Sequence, residues 1–82
     1  MNQLLKDNLI SICDLGCAGA LVSMNFELRS IDRADERKAY FIFDRTTDIE
    51  QIITDYWSDR LKISPRVFFD NIRLLKNRLY SN

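Results

Sequence analysis

The chain has 82 residues and no net formal charge, 12 Lys and Arg standing against 12 Asp and Glu, so it makes one small domain without the long-range field that gathers nucleic acid or an anionic membrane. Hydrophobic residues make up 46% and charged residues 29%, with two Gly and one Pro, which excludes a disordered or low-complexity polymer. A domain this short buries roughly 60–65% of its unfolded surface, leaving a small core and no room for a large cofactor.

Residues 1–8 are a polar-flanked lead-in, either a frayed arm or a short helical turn. They lack the basic-then-apolar order of a leader, and no apolar run approaches the ~20 residues of a membrane span. The expectation is a soluble, cytoplasmic protein with no membrane partner. Leu9 to Cys13 has the apolar, β-branched content of a short strand, and Asp14 is suited to cap a helix from Leu15 to about Met24. On that helix Leu15, Ala18, Leu21 and Val22 share a face, while Gly16, Gly19, Ala20 and Ser23 leave the other side smooth. Two glycines weaken a helix, so they imply close approach of another backbone, either the sheet beneath or a second subunit. Asn25 fits the left-handed residue that ends a helix.

Phe26–Ile31 and Ala39–Asp44 read as two strands of a hairpin joined by the polar loop 32–38. In the second, Tyr40 and Ile42 alternate with Ala39, Phe41 and Phe43, so both faces are apolar and the strand is central. Thr47-Asp48-Ile49-Glu50 has the capping-box pattern and opens a helix that presents Ile49, Ile52, Ile53 and Tyr56 on one face, with Trp57 at its edge. Leu61–Ile63 is a short extended link. Ser64 and Pro65 then cap a terminal helix with the core-facing stripe Phe68, Ile72, Leu75 and Leu79, widened by Phe69 and Tyr80. The order β-α-β-β-α-α predicts an α+β domain over 1–82, a small three-stranded, largely antiparallel sheet with two to three helices packed on it.

Chemistry is sparse. There is no His, which removes the commonest general base, and Cys13 with Cys17 cannot complete a four-ligand zinc site in one chain. The two are expected as small buried thiols, with Cys17 near a helix start open to a lowered pKa but lacking a neighbouring base. Asp32 and Glu36-Arg37-Lys38 have the residue types of a metal-dependent nuclease site but fall in a hairpin loop, and no phosphate-binding Gly-rich loop is present. No catalytic residue, metal, cofactor or small-molecule substrate is expected. Among the nine aromatics, Tyr40 and Trp57 are the platforms open to base stacking.

Charge is distributed unevenly. Residues 44–59 hold five acids against Arg45, a balance of −4, and residues 60–82 hold six bases against Asp70, a balance of +5. Either the two segments neutralise each other or a basic face stays free for a phosphate backbone or an acidic partner. The candidates for that contact are Arg66, Arg73, Lys76 and Arg78. Lys76 projects inside the apolar arc, where its methylenes cover Phe69, Ile72 and Tyr80 while the ammonium reaches water or an acid of the preceding helix, or where the amine itself marks a contact. Val67 and Leu74, one heptad apart on the far side, are candidates with Gly16 and Gly19 for a dimer or partner contact.

Several short motifs stand together: Asp14-Leu15 opening a small-residue helix, Asn25-Phe26 ending it, Tyr40-Phe41-Ile42-Phe43-Asp44, Tyr56-Trp57, and Ile63-Ser64-Pro65-Arg66 followed by Phe69, Leu75-Lys76 and Tyr80. In this the chain resembles, over about residues 9–80, a family of short uncharacterised domains of bacteria and their mobile elements, catalogued as of unknown function. That resemblance implies the fold order and a small cytosolic protein. It carries over no site residue, and Asn25 stands where such domains favour Gly. The functional expectation is a non-enzymatic interaction module, homodimeric or part of a larger assembly; the alternative is an accessory nucleic-acid-binding protein using the basic terminal helix.

Overall fold

A computed structural model describes residues 8–81. The lead-in expected over residues 1–8 lies, but for Asn8, outside them. The elements are β1 (Leu9–Ile12), α1 (Leu15–Ser23), β2 (Ser30–Asp32), β3 (Tyr40–Asp44), α2 (Thr47–Trp57) and α3 (Pro65–Tyr80). The three strands form one antiparallel sheet in the order β1-β3-β2, with β3 central as its pattern predicts. The fold is therefore the expected α+β domain, β-α-β-β-α-α, with three helices.

Register sets the two faces of the sheet. Ile10 pairs with Phe43, Ile12 with Phe41 and Ile31 with Phe41, so these side chains share the inner face. There Phe41 and Phe43 join Ala18, Leu21, Ile49 and Leu75 in one buried cluster that draws on β3 and all three helices. The outer face carries Ser11, Ser30, Tyr40 and Ile42, the last two half-buried.

α1 is the helix around which the rest is arranged. Asp14 caps it, its carboxylate accepting from the Cys17 amide at 2.8 Å. It ends in a Schellman motif: Asn25 adopts φ 73°, its amide donates to the Val22 carbonyl at 2.9 Å, and the Phe26 amide donates to Leu21 at 3.0 Å. That closure corrects the first hairpin strand. Phe26 uses its amide to finish the helix and packs on the core from a non-sheet segment, so pairing begins only at Ser30, just after Arg29 donates to the Ile42 carbonyl at 2.7 Å.

A second correction concerns α2. The cap is Thr46, whose Oγ1 accepts from the Ile49 amide at 3.1 Å, not Thr47. Glu50 is then one residue past the capping-box position and instead accepts from Arg45 at 2.9 Å. α2 also closes with a Schellman pair, Asp59 at φ 61° donating to Tyr56 and Arg60 donating to Asp55. At α3 the expected cap holds, Ser64 Oγ accepting from Val67 at 3.4 Å with Pro65 at the first helical position. The far end is finished from another element, as the Arg33 guanidinium in the β2–β3 loop donates to the carbonyls of Arg78 at 2.7 Å and Leu79 at 3.1 Å. A cation there also complements the helix dipole.

Candidate functional site

The glycines of α1 serve packing within the chain. A Cβ on Gly19 would stand 2.5 Å from Ile72 Cδ1 of α3, and one on Gly16 would overlap the Tyr56 hydroxyl of α2. The smooth side of α1 thus seats α2 and α3, with Asn71 donating to Ser23 Oγ at 3.0 Å alongside. Gly16 and Gly19 are accordingly removed from the candidate partner contacts. The close approach they imply is real, but what approaches is the side-chain surface of two sister helices rather than the sheet or a second subunit.

With its inner side, Ile72, Leu75 and Leu79, turned to the core, α3 presents two exposed flanks. One carries Arg66, Phe69, Arg73, Lys76 and Tyr80, spaced alternately three and four residues apart, so they fall in a line along the helix. Every one is exposed. Phe69 is 59% and Tyr80 77% exposed, which corrects the expectation that they widen the core stripe. The helix is simply too convex for its third apolar column to reach the small core, which Leu75 and its neighbours already fill. The Arg73 guanidinium lies over the Phe69 ring at 5.7 Å from its centroid. Lys76 stands between Phe69 and Tyr80 on this line.

The other flank carries Val67 and Leu74, 43% and 50% exposed. Arg78 belongs to that side and not with the other three cations. It lines a polar groove with Arg29, Arg33 and Ser81. Near the end of the first flank, Tyr80 and Leu79 border the β2–β3 loop at Arg37 and Lys38.

Among the described residues the ion pairs are Arg29–Asp44 at 3.8 Å and Arg45–Glu50 at 2.9 Å. Neither involves α3. The acidic helix therefore does not neutralise the terminal one by contact, and the Lys76 ammonium meets no carboxylate of α2 within 4.0 Å. On α2, Glu50 pairs with Arg45 and the half-buried Asp55 accepts from Gln51 at 3.0 Å, while Asp48 and the cations Arg66, Arg73 and Lys76 of α3 face solvent.

Other candidates resolve differently. Cys17 is buried, but Cys13 is exposed at the sheet's end, against the expectation of two buried thiols. Burial, reinforced by the Asp14 carboxylate, pushes the Cys17 thiol up to about 11, the opposite of activation by a helix start. Tyr56, beside the same carboxylate, is also raised, by burial first and then by Asp14. Trp57 is 63% exposed, its ring set edge-on to Tyr56 at 5.0 Å. Among the described residues no three His, Cys, Asp or Glu side chains are grouped to hold a metal ion, and no helix is long and apolar enough to cross a membrane.

Sequence reasoning found Arg66, Arg73 and Lys76 but missed the exposed Phe69 and Tyr80 that complete their line. The signal was present in the alternating spacing, which is an independent seam rather than an extension of the core stripe. No curated protein and no solved structure matches the chain. A family model described as a domain of unknown function (DUF5659) matches residues 7–81, and the chain belongs to that family.

Proposed function

We propose that this chain is a non-enzymatic interaction module that offers the outward flank of α3 to a protein partner. The observation that carries it is the line Arg66–Phe69–Arg73–Lys76–Tyr80: two exposed aromatics are interspersed with three cations that form no ion pair among the described residues. Exposed aromatics and arginines are the residue types that dominate binding energy at protein interfaces, and a line about 21 Å long, at 1.5 Å per residue, matches a short partner helix or strand. Holding Arg73 over Phe69 preorganises the centre of that line. Val67 and Leu74 widen the surface on the other flank.

The test is capture from the native host with wild-type chain and with Arg73→Glu/Lys76→Glu. The expected result is a protein, a second copy of the chain included, retained by the wild type after nuclease treatment and lost from the variant. Identical capture by both would overturn the proposal. A second reading, nucleic-acid binding, is favoured by Tyr80 lying beside Arg37 and Lys38, which extends the basic line past the helix end. It requires fluorescence anisotropy of labelled single- or double-stranded oligonucleotides to rise on titration at low salt and to collapse as salt increases. A flat titration at low salt eliminates it.

A further inference from the structure

We infer that the partner of the α3 line is a second copy of this chain, seated through the acidic side of its α2; this rests on the reading of α3 as a docking surface. On α2, Asp48 and Asp55 stand one heptad apart, and Asp59 follows four residues on, just past the helix. On the other side of the connection, Lys62 precedes Arg66 by four residues, and Arg66 precedes Arg73 by a heptad. The two series have the same spacing in mirror order about the segment 60–61. When segment 48–59 of one copy runs antiparallel to segment 62–73 of another, Asp48 meets Arg73, Asp55 meets Arg66 and Asp59 meets Lys62. The same alignment brings Phe69 opposite the half-buried Ile52.

A two-fold axis near residues 60 and 61 makes each such contact twice, which is the isologous arrangement expected of a closed dimer. Among the described residues none of the six side chains forms an ion pair. A second copy answers both surfaces at once and suits a chain of zero net charge. A nucleic acid would answer only the basic line and would leave Asp48, Asp55 and Asp59 without a partner. Side by side and antiparallel, α2 and α3 also set the positive end of each dipole beside the negative end of the other, which favours the pairing.

The experiment is light scattering on the whole chain and on two charge-reversed chains, Arg66→Glu/Arg73→Glu and Asp48→Lys/Asp55→Lys. In about 50 mM salt the wild type is expected near twice the monomer mass of 9.7 kDa, with dissociation strengthened at least about tenfold in 0.5 M salt, where the Debye length shrinks to a few ångströms. Each reversed chain alone is expected to be monomeric, because two of the three contacts then oppose like charges and only Asp59 against Lys62 is left attractive. Their mixture is expected to dimerise again, since both interfaces of the mixed pair regain opposite charges. Should circular dichroism show the Asp48→Lys/Asp55→Lys chain unfolded, Asp48→Asn/Asp55→Asn replaces it, with a monomer expected at low salt. A monomeric wild type, a dimer that survives in either reversed chain, or a mixture that stays monomeric overturns the proposal. A monomeric wild type that still captures a different protein through Arg73 and Lys76 overturns self-pairing while leaving the docking role of α3 standing.

Discussion

The contact between Gly19 and Ile72 allows a quantitative test of how α3 is seated. A Cβ at position 19 would lie 2.5 Å from Ile72 Cδ1 and 3.2 Å from Cγ1, where unstrained carbon contacts are about 3.5–4.0 Å. Gly19→Ala therefore overpacks the helix interface, at a cost of about 1–3 kcal/mol, offset by the roughly 1 kcal/mol that Ala gains over Gly inside a helix. The expected net loss is about 0–2 kcal/mol. Ile72→Val removes Cδ1, the atom that clashes, and alone costs about 0.5–1.5 kcal/mol. Combined, the two fit together, so the double variant is expected at or above the stability of Ile72→Val. The coupling energy should be about 1–2 kcal/mol in favour of the pair. Urea unfolding followed by far-UV circular dichroism measures it; Trp57, 63% exposed, is a poor reporter of the core. Additivity within about 0.3–0.5 kcal/mol would refute the placement of Gly19 against Ile72.

Three other outcomes follow from burial, protonation and backbone geometry. Leu75→Ala is expected to cost about 2–5 kcal/mol, whereas Phe69→Ala and Tyr80→Ala should each stay within about 0.5 kcal/mol; a large loss at Phe69 in urea unfolding would mean it belongs to the core. The Cys17 thiol, raised from 9.0 to about 11 in the folded chain, holds its proton where the unfolded thiol loses it, so its contribution is complete below pH 9 and is lost as pH rises through 9 to 11. Tyr56 shifts in the same direction and adds to the alkaline loss, which unfolding midpoints measured across that range will show; midpoints that rise with pH there would contradict it. Asp59 occupies the left-handed region at φ 61°, so Asp59→Ala should lower stability by about 1–2 kcal/mol while Asp59→Gly does not, and equal losses would contradict that geometry.

Much of the fold was legible because local chemistry and tertiary packing agree. Asp14, Asn25 and Ser64 do at their helix ends what their side chains are best at, and the alternation in β3 makes it the central strand. The failures occur where two local solutions compete. Thr46 and Thr47 are equally able caps by residue type, and in the fold it is Thr46 that accepts from the Ile49 amide. Phe26 and Leu28 have strand-like content, but closing α1 takes the Phe26 amide first. For the site, the cations Arg66, Arg73 and Lys76 could be placed on one side of a helix from spacing alone. Arg78 could not be separated from them without knowing that Arg33 and β2 lie beside it. Phe69 and Tyr80 were hidden by their hydrophobicity, because periodicity ranks a residue by type and cannot tell how many columns of a helix a small core will accept.

The most direct test of α3 as a self-pairing surface is paramagnetic relaxation between copies. Unlabelled chains carrying Cys13→Ser and Thr54→Cys take a nitroxide at the exposed position 54, the buried Cys17 remaining protected, and are mixed with 15N-labelled wild-type chains. The antiparallel alignment sets position 54 opposite Val67, so broadening is predicted to centre on the amides of residues 66–70 and to fade in high salt. Broadening centred on the outer sheet face around Tyr40 and Ile42, or none at all in low salt, would contradict it.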